Sequence, residues 1–176
     1  MRKTNPLKIA EIEKFANKLR KEIGISPLAR FPILDVLEKF HEEGLLSVQY
    51  MEDNNPIFDD DTPAKYNPKD NFIYIKESVL EELECHEYRS NFTLAHELFH
   101  YFQCKIFGFE FEEVNECPSF TNPEWQANEF AGELLIPTAY ILGDCDIKKI
   151  ADNLNVSEHC VITRKLYFER RNKRKM

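Results

Sequence analysis

The chain has no uninterrupted apolar run long enough to span a bilayer, and residues 1–8 lack the apolar core of a secretion signal. Both absences point to a cytoplasmic protein with no membrane partner. It has no C-x-x-C pair. Its five cysteines, Cys85, Cys104, Cys117, Cys145 and Cys160, are odd in number and widely spaced, which fits neither a disulfide framework nor a cysteine-rich zinc finger and leaves reduced, mostly buried thiols. No linker, low-complexity tract or fixed-period repeat divides the 176 residues, so one domain, or one domain with a small appendage, is expected. Positive charge is scarce except at the end: the net charge is −8, yet residues 164–176 carry +6 and the remainder −14. The body should repel nucleic acid, and only the tail is suited to it.

What is present is a soluble, globular composition, 43% hydrophobic and 31% charged. Residues 7–23 place Ile9, Ile12, Phe15, Ala16, Leu19 and Ile23 on one helical stripe, and Phe31-Pro32 opens a second helix that ends near Gly44. Residues 45–51 read as a strand and the acidic, Pro-containing stretch 52–63 as a loop. Residues 64–66, 67–71 and 72–75 read as strand, turn, strand, forming a hairpin. The Asp59-Asp60-Asp61 run lacks the spaced ligands and glycine of a calcium loop, so it reads as a solvated acidic segment. A helix over 78–86 then leads to the most informative stretch.

That stretch is Phe92-Thr93-Leu94-Ala95-His96-Glu97-Leu98-Phe99-His100-Tyr101-Phe102. On an α-helix, positions four apart lie one turn apart on one face, so His96 and His100 can bind a single ion. Glu97 is rotated by about 100°, out of that pair but able to reach a water beside the ion as general base. The flanking apolar residues make the helix, expected over 91–106 with Ser90 or Asn91 as cap and Gly108 beyond its end, mostly buried. Two buried imidazoles and a carboxylate are costly without partners, and one metal ion satisfies all three. His41 and His86 read instead as surface groups.

Catalytic zinc takes three protein ligands and keeps one position open, so a third group is required. Residues 123–137 form a helix that starts at one proline and ends at another, and it offers three glutamates. Glu124 shares an arc with Ala127, Asn128, Ala131 and Leu135, while Gln126, Glu129 and Glu133 cluster opposite. Glu124 is therefore the acid that faces inward, with Glu129 kept as the alternative. Small Ala127 and Ala131 would let the two helices approach closely.

The motifs F-T-L-A-H-E-L-x-H and E-W-Q-A-N-x-F-A-x-x-L-L-x-P together closely resemble the ImmA/IrrE family of zinc metallopeptidases, over residues 66–137 and more weakly over the two N-terminal helices. The resemblance implies an α+β fold with a small thermolysin-like, gluzincin-type core, a short sheet packed on helices and a C-terminal helical extension. It implies a Zn²⁺ cofactor held by His96, His100 and Glu124, with Glu97 catalytic. It further implies regulatory proteolysis linked to phage or other mobile elements, in which a helix-turn-helix repressor is cleaved or inactivated. By analogy with such peptidases, an edge strand beside the metal helix holds the substrate backbone, and Phe72–Lys76 is the candidate. Where a glycine commonly precedes the second histidine this chain has Phe99, which narrows the space behind the helix. Tyr66, Tyr74, Tyr101 and Tyr140 are available to stabilise an oxyanion.

Residues 1–143 are read as the peptidase domain and 144–176 as a helical hairpin with a basic tail. The two tail helices around Leu154-Asn155-Val156-Ser157 have the look of a helix-turn-helix, and with Arg164, Lys165, Arg170 and Arg171 they frame the competing reading. That reading is a non-enzymatic regulator or toxin-like protein that binds protein or DNA through these helices.

Overall fold

The apolar stripe along residues 7–23 forms helix α1 (Ile9–Glu22), preceded by a two-residue strand β1 (Arg2–Lys3), in a computed structural model that describes residues 2–58, 62–85, 88–142 and 146–173. The Asp59-Asp60-Asp61 run, His86 and Cys145 lie outside the described residues. Glu11 closes the start of α1 by accepting the Lys8 N–H at 2.7 Å, and Gly24 takes the left-handed turn after it (φ 81°). Helix α2 (Ile33–Glu42) begins after Pro32 and is ended by Gly44, also left-handed. His41 in its last turn accepts the Val48 N–H on Nδ1 at 3.3 Å.

Strands β2 (Ser47–Met51), β3 (Ala64–Asn67) and β4 (Phe72–Lys76) form a sheet in the order β2-β4-β3. The hairpin expected from the sequence is present: β3 pairs antiparallel with β4, Ala64 opposite Ile75, and Asn71 supplies a left-handed residue at the turn (φ 64°). Strand β2 lies parallel on the other side of β4, Ser47 opposite Phe72. The expectation that Phe72–Lys76 is an edge strand is therefore corrected. It is the central strand, with main-chain partners on both sides, and β3 is the edge that meets the helix carrying His96 and His100.

Beyond the sheet come α3 (Ser78–Glu84), α4 (Arg89–Tyr101), a π turn over Phe102–Ile106, and β5 (Glu112–Glu113), which pairs with β1. A 3₁₀ turn over Ser119–Thr121 leads into α5 (Pro123–Leu135), followed by α6 (Thr138–Ile141), α7 (Ile147–Leu154) and α8 (Glu158–Lys173). The architecture is α+β, a short sheet packed on helices with a helical C-terminal extension. Among the described residues no helix is long and apolar enough to cross a membrane. Helix α4 starts two residues before its expected position. Neither Ser90 nor Asn91 caps it, because Ser90 is hydrogen-bonded to Glu82 and Asn91 Nδ2 donates to Asn155 O at 2.9 Å.

Helices α4 and α5 pack directly, as their small residues foretold, with Ala95, Ala127 and Ala131 fully buried. Phe99 stacks on Phe130 with ring centroids 4.6 Å apart, and Phe15 of α1 touches both, together with Phe102 and Phe107. The residue that departs from the usual glycine thus locks the two site-bearing helices together. Burying such a ring contributes roughly 2–3 kcal/mol.

The far side of α5 is covered as well. Arg164 of α8 reaches Glu133 in a close ion pair and lies 3.5 Å from Glu129, while Asn17 Nδ2 of α1 donates to Glu133 Oε1 at 2.9 Å. Arg171 pairs with Glu13 of α1. Removing one partner of a buried ion cluster leaves the others uncompensated. Arg164→Leu is therefore expected to lower unfolding free energy by about 3–5 kcal/mol in urea denaturation. Glu129→Gln and Glu133→Gln added together should restore part of the loss, and a change below about 1 kcal/mol for Arg164→Leu alone would show that the cluster is not a structural tie.

Candidate metal centre

One turn of α4 brings the two imidazoles together as its period requires: His96 Nε2 and His100 Nε2 stand 3.0 Å apart. Helix α5 delivers a carboxylate to the same point. Glu124 Oε2 lies 3.1 Å from His96 Nε2 and 3.4 Å from His100 Nε2. Its position is set by the cap: Asn122 Oδ1 accepts the N–H groups of Glu124 and Trp125 at 2.9 and 3.3 Å, which fixes the first turn of α5 with Glu124 in it. The ligands of a tetrahedral zinc, each about 2.0–2.2 Å from the ion, stand about 3.3–3.6 Å apart, and these three atoms come within a few tenths of an ångström of that spacing. His96, Glu97 and His100 also form a group able to hold a metal ion, their donor atoms all within 4.8 Å.

Each imidazole is held from behind by an amide. His96 Nδ1 is 2.9 Å from Asn128 Oδ1, and His100 Nδ1 is 2.8 Å from Gln103 Oε1. An amide oxygen only accepts, so each ring carries a proton on Nδ1 and turns Nε2 to the meeting point. Gln103 is fully buried on the π turn, where it also donates through Nε2 to Gln126 Oε1 at 2.8 Å and to Pro123 O at 3.3 Å. Gln126 in turn donates to Asn5 O and Phe120 O at 2.8 and 2.9 Å. A chain of amides therefore connects the second histidine to α5 and to the N-terminal segment.

Glu97 is buried, and its Oε2 accepts the Tyr66 N–H at 2.7 Å, the main-chain donor of edge strand β3 that turns toward α4. Burial pushes its carboxyl above the usual carboxylate range, against the pull of both histidines and the Tyr66 amide. Glu124 behaves in the opposite way: hydrogen bonds with His100 and then His96 hold it far below that range. For His100 burial opposes protonation, but the bond to Glu124 and the charges of Glu97 and Glu124 outweigh it and raise its basicity. The point where these groups meet favours a cation. The side chain of Glu124 is 62% exposed, against 14% and 16% for the two histidines, so the open side of the centre lies toward Glu124.

The structure brings together His96, Glu97, His100 and Glu124, but not for every reason expected. The cluster of Gln126, Glu129 and Glu133 does not face outward. All three are buried, because α1 and α8 cover that side of α5. Glu129, the alternative ligand, is turned to Arg164. Of the candidate tyrosines, Tyr66, Tyr74 and Tyr140 donate their hydroxyls to Asn71, Asp70 and the Leu28 carbonyl. Gln103 and the Tyr66 amide were missed. Asn128 was placed on the arc of Glu124 without a role.

Residues 57–164 match the family model of the IrrE N-terminal-like domain, peptidase M78. No curated protein matches the chain in sequence. A solved structure of similar fold is a Mycobacterium tuberculosis transcriptional regulator, with a TM-score of 0.56 and 18% identity over 87% of this chain and 54% of the other. The present chain thus spans about half the length of that regulator, and the likeness speaks to the fold. With a His-Glu-His group on α4 able to hold a metal ion and a family model that covers most of its length, the chain belongs to the IrrE N-terminal-like family of metallopeptidases, M78.

Proposed function

We propose that the protein is a zinc-dependent, site-specific endopeptidase that cleaves a helix-turn-helix transcriptional repressor, in regulation tied to a phage or another mobile element. His96, His100 and Glu124 hold the ion, and Glu97 is the general base. The observation that carries this reading is the triangle of donor atoms 3.0–3.4 Å apart with a buried carboxylate next to it. Two imidazoles and a carboxylate with one side open are the ligand set of catalytic zinc. A bound ion there supplies Lewis acidity, which acidifies water and polarises a peptide carbonyl. Glu97, fixed by Tyr66 N–H and raised by burial, is poised to take a proton from the attacking water and return it to the leaving amine. A repressor as substrate is supported by the family and by the regulator of similar fold.

The competing reading relied on the basic tail helices. Two of their arginines, Arg164 and Arg171, are engaged with acids of α5 and α1, which takes charge away from a nucleic-acid face and supports the enzyme.

With a helix-turn-helix repressor that the wild-type chain cleaves as substrate, Glu97→Gln is expected to retain one zinc per chain and to lose about 10²–10⁴-fold in turnover, followed by mass spectrometry of the products. Undiminished turnover would remove Glu97 from the chemistry. Asn128→Ala and Gln103→Ala are each expected to weaken zinc binding about 10–100-fold in competition with a chromophoric chelator. Wild-type affinity in both variants would mean that the amides do not orient the rings.

A further inference from the structure

A cavity of about 620 Å³ lies between α4, α5 and α8, with Phe92, Trp125, Gly132, Cys160, Thr163 and Tyr167 in its walls. Its volume falls in the usual range of ligand sites, about 300–1,000 Å³. It abuts the metal centre through three residues. Phe92 stands one turn before His96, Trp125 follows Glu124 directly, and Asn128, which also lines the cavity, is the group that holds His96.

The chemistry of the walls is apolar. The Trp125 indole N–H is already given to the Tyr167 hydroxyl at 3.2 Å, so the polar handle of the ring is satisfied. Burial pushes the Cys160 thiol up to about 11, which keeps it protonated and lets it act as a small apolar group. Gly132 contributes bare backbone, and a Cβ there would stand 3.4 Å from Arg164 Cδ. Two charged residues in the lining, Glu129 and Arg164, stand 3.5 Å apart in the buried cluster that Glu133 completes. Arg89 balances the second carboxylate of that cluster, so the walls offer a Lys or Arg side chain no net attraction.

The geometry points to this cavity as the specificity pocket of the peptidase, receiving a large apolar side chain (Leu, Met or Phe) of the protein substrate beside the cut bond. The inference rests on the peptidase reading above. It gives α8 a role: through Cys160, Thr163 and Tyr167 the C-terminal helix forms the wall that selects the substrate.

Trp125 is the single tryptophan of the chain, so its emission reports on the pocket directly. Zinc-loaded Glu97→Gln protein is titrated with acetylated Ala/Gly hexapeptides that carry Phe, Leu, Ala or Lys at one position, with calorimetry for affinity and Trp125 emission for location. The Phe and Leu peptides are expected to bind at least ten-fold more tightly than the Ala and Lys peptides and to shift the emission. Thr163→Phe, added from the exposed side of α8, should abolish the discrimination with zinc content and circular dichroism unchanged. Equal binding of the four peptides, preference for Lys, or emission unmoved at saturation each overturns the pocket, and the peptide series decides this without the second variant. Selective binding with no hydrolysis of any peptide or protein by the wild-type chain would instead overturn the peptidase reading and leave the pocket in place.

Discussion

Two imidazoles and two carboxylates converge where the first turn of α5 meets the middle of α4, and that convergence demands positive charge. Carboxylates gathered in a partly buried site are favoured in their charged form when a positive charge stands beside them. The opposite displacements of Glu124, held far down, and His100, made more basic, are two expressions of one demand. A proton meets it incompletely, since it can join only one pair at a time. A divalent ion held as proposed above would meet it for all three donor atoms together and would leave the exposed flank by Glu124 open.

Much of the remaining fold serves to hold these donors within a few tenths of an ångström. Helix α4 alone sets the histidine spacing, but the reach to Glu124 depends on how α5 docks. Three features fix that docking: the Phe99–Phe130 stack between the helices, the Asn122 cap at the start of α5, and the buried Arg164 cluster behind it. The amide chain from His100 through Gln103 and Gln126 adds orientation to position. Edge strand β3 provides the last element, a main-chain N–H for Glu97. Its remaining edge lies beside α4, where an extended chain would lie next to Glu97, the general base proposed above.

The parts of this arrangement that were legible in the sequence are those governed by a local period. His96, Glu97 and His100 follow from the turn of one helix, and α1, α2 and α5 lie within one or two residues of their expected spans. Glu124 was identified by an angular argument that held for direction but failed for burial. Its helix is covered on nearly every side, so Glu129 and Glu133 are buried too, and Glu124 is the exposed one. Non-local pairing was not legible: nothing in residues 45–51 reveals that β2 lies parallel to β4 and makes it central. The small β1–β5 pair and the π turn that carries Gln103 gave no periodic signal either. Arg164 was read with a basic tail, whereas its guanidinium is buried against α5. A single arginine within a charged segment carries no mark of the partner it will meet.

The most direct measurement of the central claim is zinc K-edge X-ray absorption on the reconstituted full chain, paired with the Glu124→Ala variant. The expected spectrum has two imidazole nitrogens and a carboxylate oxygen about 2.0–2.2 Å from one zinc, with the carboxylate contribution lost in the variant. A wild-type spectrum identical to that of Glu124→Ala, or zinc bound without imidazole scattering, would contradict it.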